Sequence, residues 1–149
     1  MKWVYYHSFD EIPAGVLYGI LKLRQDVFII EQDCIYEDID NLDRHSSQLV
    51  LMDEEAVAGC ARLVPAGMKY PEISIGRIAV AQAYRNRNLG RKLVERAVDA
   101  AEKEGHSVIR IEAQTYLLSF YESLGFAADG EEFVLDGIPH IEMIRKSAI

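Results

Sequence analysis

Apolar positions along this chain recur in two rhythms. Residues 3–9 are aromatic and β-branched, bounded by Asp10-Glu11 and Pro13, and read as a strand. After Pro13, Leu17, Ile20, Leu21, Val27 and Phe28 fall on a helical stripe that includes Arg24. Residues 48–52 read as a strand, Asp53-Glu54-Glu55 as a turn, and Ala56–Val64 as a returning strand that Pro65 and Gly67 end, so the pair predicts a hairpin. Pro71 precedes another strand, Ile73–Val80. Leu89, Leu93, Val94, Ala97, Val98 and Ala101 then share one face of a helix over 88–104, stopped by Gly105 where a left-handed residue suits. Residues 107–113 form a strand that follows a crossover helix. It is expected to lie parallel to Ile73–Val80 with a right-handed connection. A short helix over 116–124 ends at Gly125-Phe126, and residues 133–144 read as a hairpin about Asp136-Gly137. The order is β, α, irregular segment, β, β, β, α, β, α, β, β. It predicts an α/β domain with a mixed sheet. No linker, repeat or low-complexity stretch divides residues 1–149, which read as one domain.

Composition narrows the functional classes. Half of the residues are hydrophobic and 27% are charged, an ordinary globular balance. No apolar run reaches membrane-spanning length and Met1-Lys2-Trp3 does not open a signal peptide, so Cys34 and Cys60 read as reduced thiols of a cytoplasmic protein. A formal net charge of −8 disfavours nucleic acid and anionic membrane and suits a cationic substrate such as an amine. His7, His45, His106 and His140 lack ligand spacing, so no metal is expected. Neither a Gly-x-Ser-x-Gly elbow nor a nucleotide-binding Gly-x-x-x-x-Gly-Lys-Ser/Thr run occurs.

Charge is unevenly placed. Residues 84–92 carry Arg85, Arg87, Arg91 and Lys92 and no acid, although the chain as a whole is acidic. This stretch joins a strand to a helix start, where unpaired N–H groups and the helix dipole suit phosphate oxygens. An ordinary basic helix start capped by Asn86 or Asn88 is the plainer alternative. Residues 31–43 hold six acids, so a solvated loop is their default reading. The interleaved Ile35, Tyr36, Ile39 and Leu42 instead suggest a segment packed on the body with its acids presented in a concave place.

Arg85-x-x-Asn88-x-Gly90 resembles the acyl-CoA pyrophosphate loop of the GCN5-related N-acetyltransferase (GNAT) family, Arg/Gln-x-x-Gly-x-Gly/Ala. Asn88 replaces the first glycine, and Asn is the non-glycine residue most tolerant of positive φ. The stretch from Gln114 to Phe126 is similar to the family's Asn-x-x-Ala-x-x-Phe-Tyr-x-x-x-Gly-Phe. Phe120, Tyr121, Gly125 and Phe126 match, while Gln114 and Leu117 depart. The resemblance spans the chain and implies a mostly antiparallel sheet with splayed central parallel strands. It implies acetyl-CoA as co-substrate, held by main-chain groups of Ile78, Ala79 and Val80, by the loop Arg85, Asn86, Arg87, Asn88, Leu89, Gly90 and Arg91, and by Gln114. Tyr121 would protonate the leaving thiolate; phenols start near ~10 and thiols near ~8.5, so tuning toward the thiol would help. Glu72 aligns with a general base of some members, with Glu112, Asp38 and Glu31 as competitors.

Arg24-x-x-Val27-Phe28-x-x-Glu31-Gln32, followed by Asp38-x-Asp40, is similar to the ElaA-like branch of that family. There Glu31, Asp38 and Asp40 would attract and orient a protonated amine, small-molecule or peptide, while Arg24 would pair with the acids and hold the segment. The same stretch with Gly59-Cys60-Ala61-Arg62-Leu63-Val64-Pro65 also resembles acyl-homoserine lactone synthases, which typically lack the Arg85–Gly90 type of loop. A domain that holds acyl-CoA without turnover is the alternative from a different class. Late strands of this fold often pair between subunits, so a homodimer is among the expectations.

Overall fold

The computed structural model describes residues 1–147. The chain runs β1 (Lys2–Tyr6), α1 (Ala14–Arg24), β2 (Ser47–Asp53), β3 (Ala56–Val64), β4 (Ile73–Val80), α2 (Leu89–Lys103), β5 (Val108–Gln114), α3 (Leu118–Glu122), β6 (Ala127–Ala128), β7 (Phe133–Leu135) and β8 (Ile138–Lys146). The strands form one open sheet in the order β1-β2-β3-β4-β5-β8-β6, with β7 beside β8. Every pairing is antiparallel except β4 with β5. The expected order of elements holds. β6 is an addition, and β1 stops short of residue 9 because Phe9–Glu11 coils into a single tight turn.

Local chemistry fixes the element ends. α2 closes with Gly105 at φ +93, where its N–H bonds Glu102 O and the His106 N–H bonds Ala101 O. Gly125 at φ +94 repeats the arrangement after α3, through Glu122 O and Tyr121 O. Asp136 and Gly137, at φ +51 and +78, make the two-residue turn of the β7–β8 hairpin and place Phe133 opposite His140. α1 does not stop at Arg24 but widens into a π-helical turn over Gln25–Glu31.

Alternate residues of the central strands pack against different helices. Leu49, Ala61, Leu63 and Ile75 meet the apolar face of α2, while Val50, Met52 and Cys60 meet Ile20 and Leu23 of α1. The two helices therefore cover opposite faces of the sheet.

One irregularity shapes the rest. β4 and β5 pair only at Ile73 with Ile109 and at Ser74 with Arg110. Beyond Ser74 the strands part. Between Cys60 and Arg62 the β3–β4 register shifts, and on β4 Arg77 sits at φ +48, a costly conformation for a side-chain-bearing residue. Such a bulge bends the strand that contains it. Further along, the Ala81 N–H bonds Ala58 O at 2.9 Å, so the neighbouring Val80 carbonyl faces away from β3. Arg85 Nε donates to it at 3.1 Å.

The acid-rich segment is held by charge, not by apolar packing. Arg24, fully buried, reaches Asp38 Oδ2 at 2.9 Å and Asp43 Oδ1 at 2.6 Å. Arg62 grips Asp40 with two bonds of 2.8 and 2.9 Å, and Arg77 Nε lies 2.9 Å from Asp38 Oδ1. Three arginines thus face three aspartates. Of the four expected apolar anchors, Ile35 and Ile39 are corrected, being 98% and 59% exposed, while Tyr36 and Leu42 are half-buried.

Candidate active site

The parted strands open a cleft of about 680 Å³. Its walls carry Ile78, Ala79 and Val80 from β4, Ile111, Glu112 and Gln114 from β5, and Leu117 and Tyr121 beyond β5. The π-helical turn contributes Val27, Phe28 and Glu31, and the β7–β8 hairpin contributes Asp136 and His140. Strand ends, a widened helix and a hairpin tip therefore converge where the sheet lacks its own hydrogen bonds. A helical turn of this kind commonly marks a functional place.

At one end the cleft meets the basic loop through Val80 and Arg85. Asn86 and Asn88 both adopt left-handed backbone, at φ +65 and +61, as the resemblance requires of a tight wrap. No side chain caps α2, so neither asparagine serves as its hydrogen-bonding cap, and the first intrahelical acceptor is Asn88 O, bonded by the Lys92 N–H. The N–H groups of Leu89, Gly90 and Arg91 are left without a helical acceptor. A Cβ added at Gly90 would have nothing within 4 Å. The protein itself does not need glycine there, whereas a closely approaching ligand would. These features fit an anionic diphosphate. The Leu89 side chain is core, packed with Leu51 and Ala58, so only its main chain is available.

The loop cations are less free than their density suggests. Arg85 forms a fork with Glu31, Nη2 to Oε1 at 2.7 Å, which pulls the Glu31 carboxyl below its ordinary range. Arg91 donates to Ser123 Oγ at 2.9 Å, and Arg87 lies over the Tyr84 ring. Asn86 to Arg91 do not themselves line the cleft.

Tyr121 is 9% exposed and held edge-to-face between Phe120 and Phe126, with ring centroids 5.1 and 5.8 Å away. Burial, with a smaller push from Tyr116, raises its phenol to about 12. The expected tuning toward a thiol is therefore reversed: burial moves this phenol the other way, and it stays protonated.

The carboxylates read as amine ligands or bases are mostly spoken for. Glu72 receives two bonds from Arg110, at 3.0 and 3.1 Å, stays low for that reason, and does not line the cleft. Its carboxylate therefore faces Arg110 rather than the cleft. Asp38 is buried under Arg24, Arg77 and the Tyr36 hydroxyl. Asp40 lines the cleft, but although burial alone would raise its carboxyl, the Arg62 fork outweighs it and draws the group down to about 2. Neither aspartate is a free carboxylate awaiting an amine, because internal arginines already neutralise both. Glu112 accepts from the Tyr70 hydroxyl and lies 3.4 Å from Lys69 Nζ. Gln114 reaches Gln32 Oε1 at 3.4 Å across the cleft. Cys60 is buried and its thiol pushed up to about 12, which leaves it inert. Among the described residues no cluster of His, Cys, Asp and Glu could hold a metal ion, and no helix is long and apolar enough to cross a membrane.

Arg77 and His140 are among the cleft residues to which the sequence assigned no role. A positive φ at arginine leaves no mark in the sequence. His140 was half legible, since the Asp136-Gly137 turn pairs it with Phe133.

The family described as the acetyltransferase (GNAT) domain matches residues 17–147. An acyl-CoA N-acyltransferase from Pseudomonas aeruginosa superposes with a TM-score of 0.92 at 33% identity, over 97% of this chain and 98% of that one. The crystal structure of Escherichia coli ElaA gives 0.89 at 30% identity, over 97% and 99%. As a sequence, ElaA is 30% identical over 149 residues, 98% of this chain and 97% of its own. BjaI, a CoA-dependent acyl-homoserine lactone synthase, gives 0.80 at 16% identity over 97% of this chain and 83% of its own, a likeness of fold alone.

Proposed function

The chain belongs to the GNAT acetyltransferase family, and from that premise we propose an acetyl-CoA-dependent N-acetyltransferase acting on a primary amine. Transfer runs directly from thioester to amine in a ternary complex, with no acyl-enzyme. The observation that carries this reading is the cleft between β4 and β5, with the protonated Tyr121 phenol on one wall and the uncapped start of α2 beyond Arg85.

Each chain group has a task in this reading. Main-chain N–H groups of Leu89, Gly90 and Arg91 bind the diphosphate, and Arg85 turns from Glu31 to join them. Outward N–H and C=O groups of the Ile78–Ala79–Val80 stretch hold the pantetheine arm in the manner of an added strand. A strand N–H stabilises the tetrahedral oxyanion. Tyr121 donates to sulfur as its charge develops. Its high pKa makes it a hydrogen-bond donor first and a proton source only as the thiolate forms. Cys60 is too deeply buried for a covalent relay. The acceptor is a small-molecule or peptide amine, and a homodimer through the late strands remains part of the proposal.

The test is thiol release from acetyl-CoA against a panel of amines, with products identified by mass spectrometry and CoA binding measured separately. Amine-dependent thiol release is expected, and Tyr121→Phe should lower turnover by roughly 100-fold at unchanged acetyl-CoA affinity. Binding without release by any amine would favour a non-catalytic acyl-CoA module instead.

A further inference from the structure

An amine must shed a proton to displace a thioester, and the carboxylates first considered for that work are occupied. Arg85 holds Glu31, Arg110 holds Glu72, Arg24 and Arg77 hold Asp38, and Glu112 accepts from Tyr70. An oxygen already bound to arginine is a weak base, because protonation would forfeit the charge-assisted bond.

His140 differs. It is 9% exposed and lines the same cleft as Tyr121. Its Nδ1 lies 2.7 Å from the Ile138 carbonyl oxygen. Two acceptors do not bond without a proton between them, so Nδ1 carries the hydrogen and the neutral ring's lone pair resides on Nε2. The Phe133 ring stacks on the imidazole, at 6.0 Å between centroids and 26° between planes. Register fixes the residue from both sides, opposite Phe133 on β7 and Gln114 at the end of β5. Tautomer, ring plane and position are all set by the hairpin.

We propose that His140 is the general base, with Nε2 taking the proton of the acceptor amine. The proposal rests on the transferase reading above. The amine nitrogen bonds to the thioester carbon while Nε2 removes its proton, and the carbonyl π pair moves to oxygen. That pair returns as the C–S bond breaks, and sulfur takes a proton from Tyr121. Solvent carries the imidazolium proton back to the phenolate, so amine and acetyl-CoA become amide and CoA thiol. The other titratable and charged groups along this cleft are Glu112 on β5, Tyr116 and Tyr121 after it, Asp136 in the hairpin turn, Glu31, Cys34, Tyr36, Glu37 and Asp40 on the acid-rich segment, Lys69 before β4, and the arginines Arg62, Arg77 and Arg85.

Two measurements test the assignment. In nitrogen-15 NMR of the imidazoles, the neutral His140 ring should carry its proton on Nδ1; a neutral ring protonated on Nε2 overturns the proposal without touching the transferase reading. In steady-state kinetics, His140→Gln should lower kcat by roughly 100-fold. It should also abolish the fall in rate at low pH and leave the CoA dissociation constant unchanged. An unaltered low-pH limb in an active variant overturns the base alone. A wild-type protein that binds CoA but releases thiol with no amine overturns both readings.

Discussion

Two arginine-rich regions of this molecule use the same side chain to opposite ends. Around the acid-rich segment, Arg24, Arg62 and Arg77 meet Asp38, Asp40 and Asp43, and the charges close on themselves. At the start of α2, Arg85, Arg87 and Arg91 surround main-chain donors that no side chain caps. The first region is a buried structural lock and the second is an open recess. Density of charge does not distinguish them; the number of partners already inside the protein does.

The contrast can be broken most forcefully at Arg24. Arg24→Leu removes the fully buried partner that Asp38 and Asp43 share, leaving them to Arg77 and Arg62, and should cost about 3–5 kcal/mol in chemical denaturation. A loss under about 1 kcal/mol would mean that the lock is ornamental. The recess should respond the other way. Gly90→Val meets open space within the protein, so its unfolding midpoint should hold, while CoA affinity by calorimetry drops at least about tenfold, or about 1.4 kcal/mol. Normal affinity would remove the α2 start from the binding site.

A gentler probe is acid. The Asp40 carboxyl is depressed in the folded state, so its contribution is complete above the ordinary carboxylate range and disappears as pH falls toward about 2. Asp40→Asn should flatten the acid side of the stability curve between about pH 4 and pH 2; an unchanged slope would mean that Arg62 does not discriminate the ionised form. The smallest effect belongs to the exposed clasp between the two regions. Glu31→Gln frees Arg85 and should tighten CoA binding by no more than about fivefold, with stability moved by under about 0.5 kcal/mol. Weaker binding would place Glu31 on the side of the ligand.

Much of the scaffold could be read directly. Periodicity placed the six apolar residues of α2, and Gly105 and Gly125 announced helix ends that their left-handed geometry bears out. The parallel partnership of β4 with β5 followed from the crossover helix. What could not be read depends on distant partners. The pairing of Arg24 with the acids was legible and holds, with Asp38 and Asp43, but nothing in the sequence shows that Arg62 and Arg77 arrive from other strands to occupy Asp40 and Asp38 as well. Ile35 looks like an anchor and is bare, because arginine bonds rather than apolar contacts secure its segment. The loop motif told where an anion fits, but not that Arg85 rests on Glu31 beforehand. His140 was legible only as the partner of Phe133 across the Asp136-Gly137 turn, and its place beside Gln114 depends on a strand order that the sequence does not state.

The parting of β4 from β5 after two residue pairs has a last consequence. It leaves the middle of the sheet like a ladder with missing rungs, stiff on each rail and hinged only at the foot. A guest lying in that gap becomes a temporary structural member. Heat resistance and amide exchange of Ile78 and Val80 should then vary with how full the gap is, and the least stiff form of the protein is the one waiting for work.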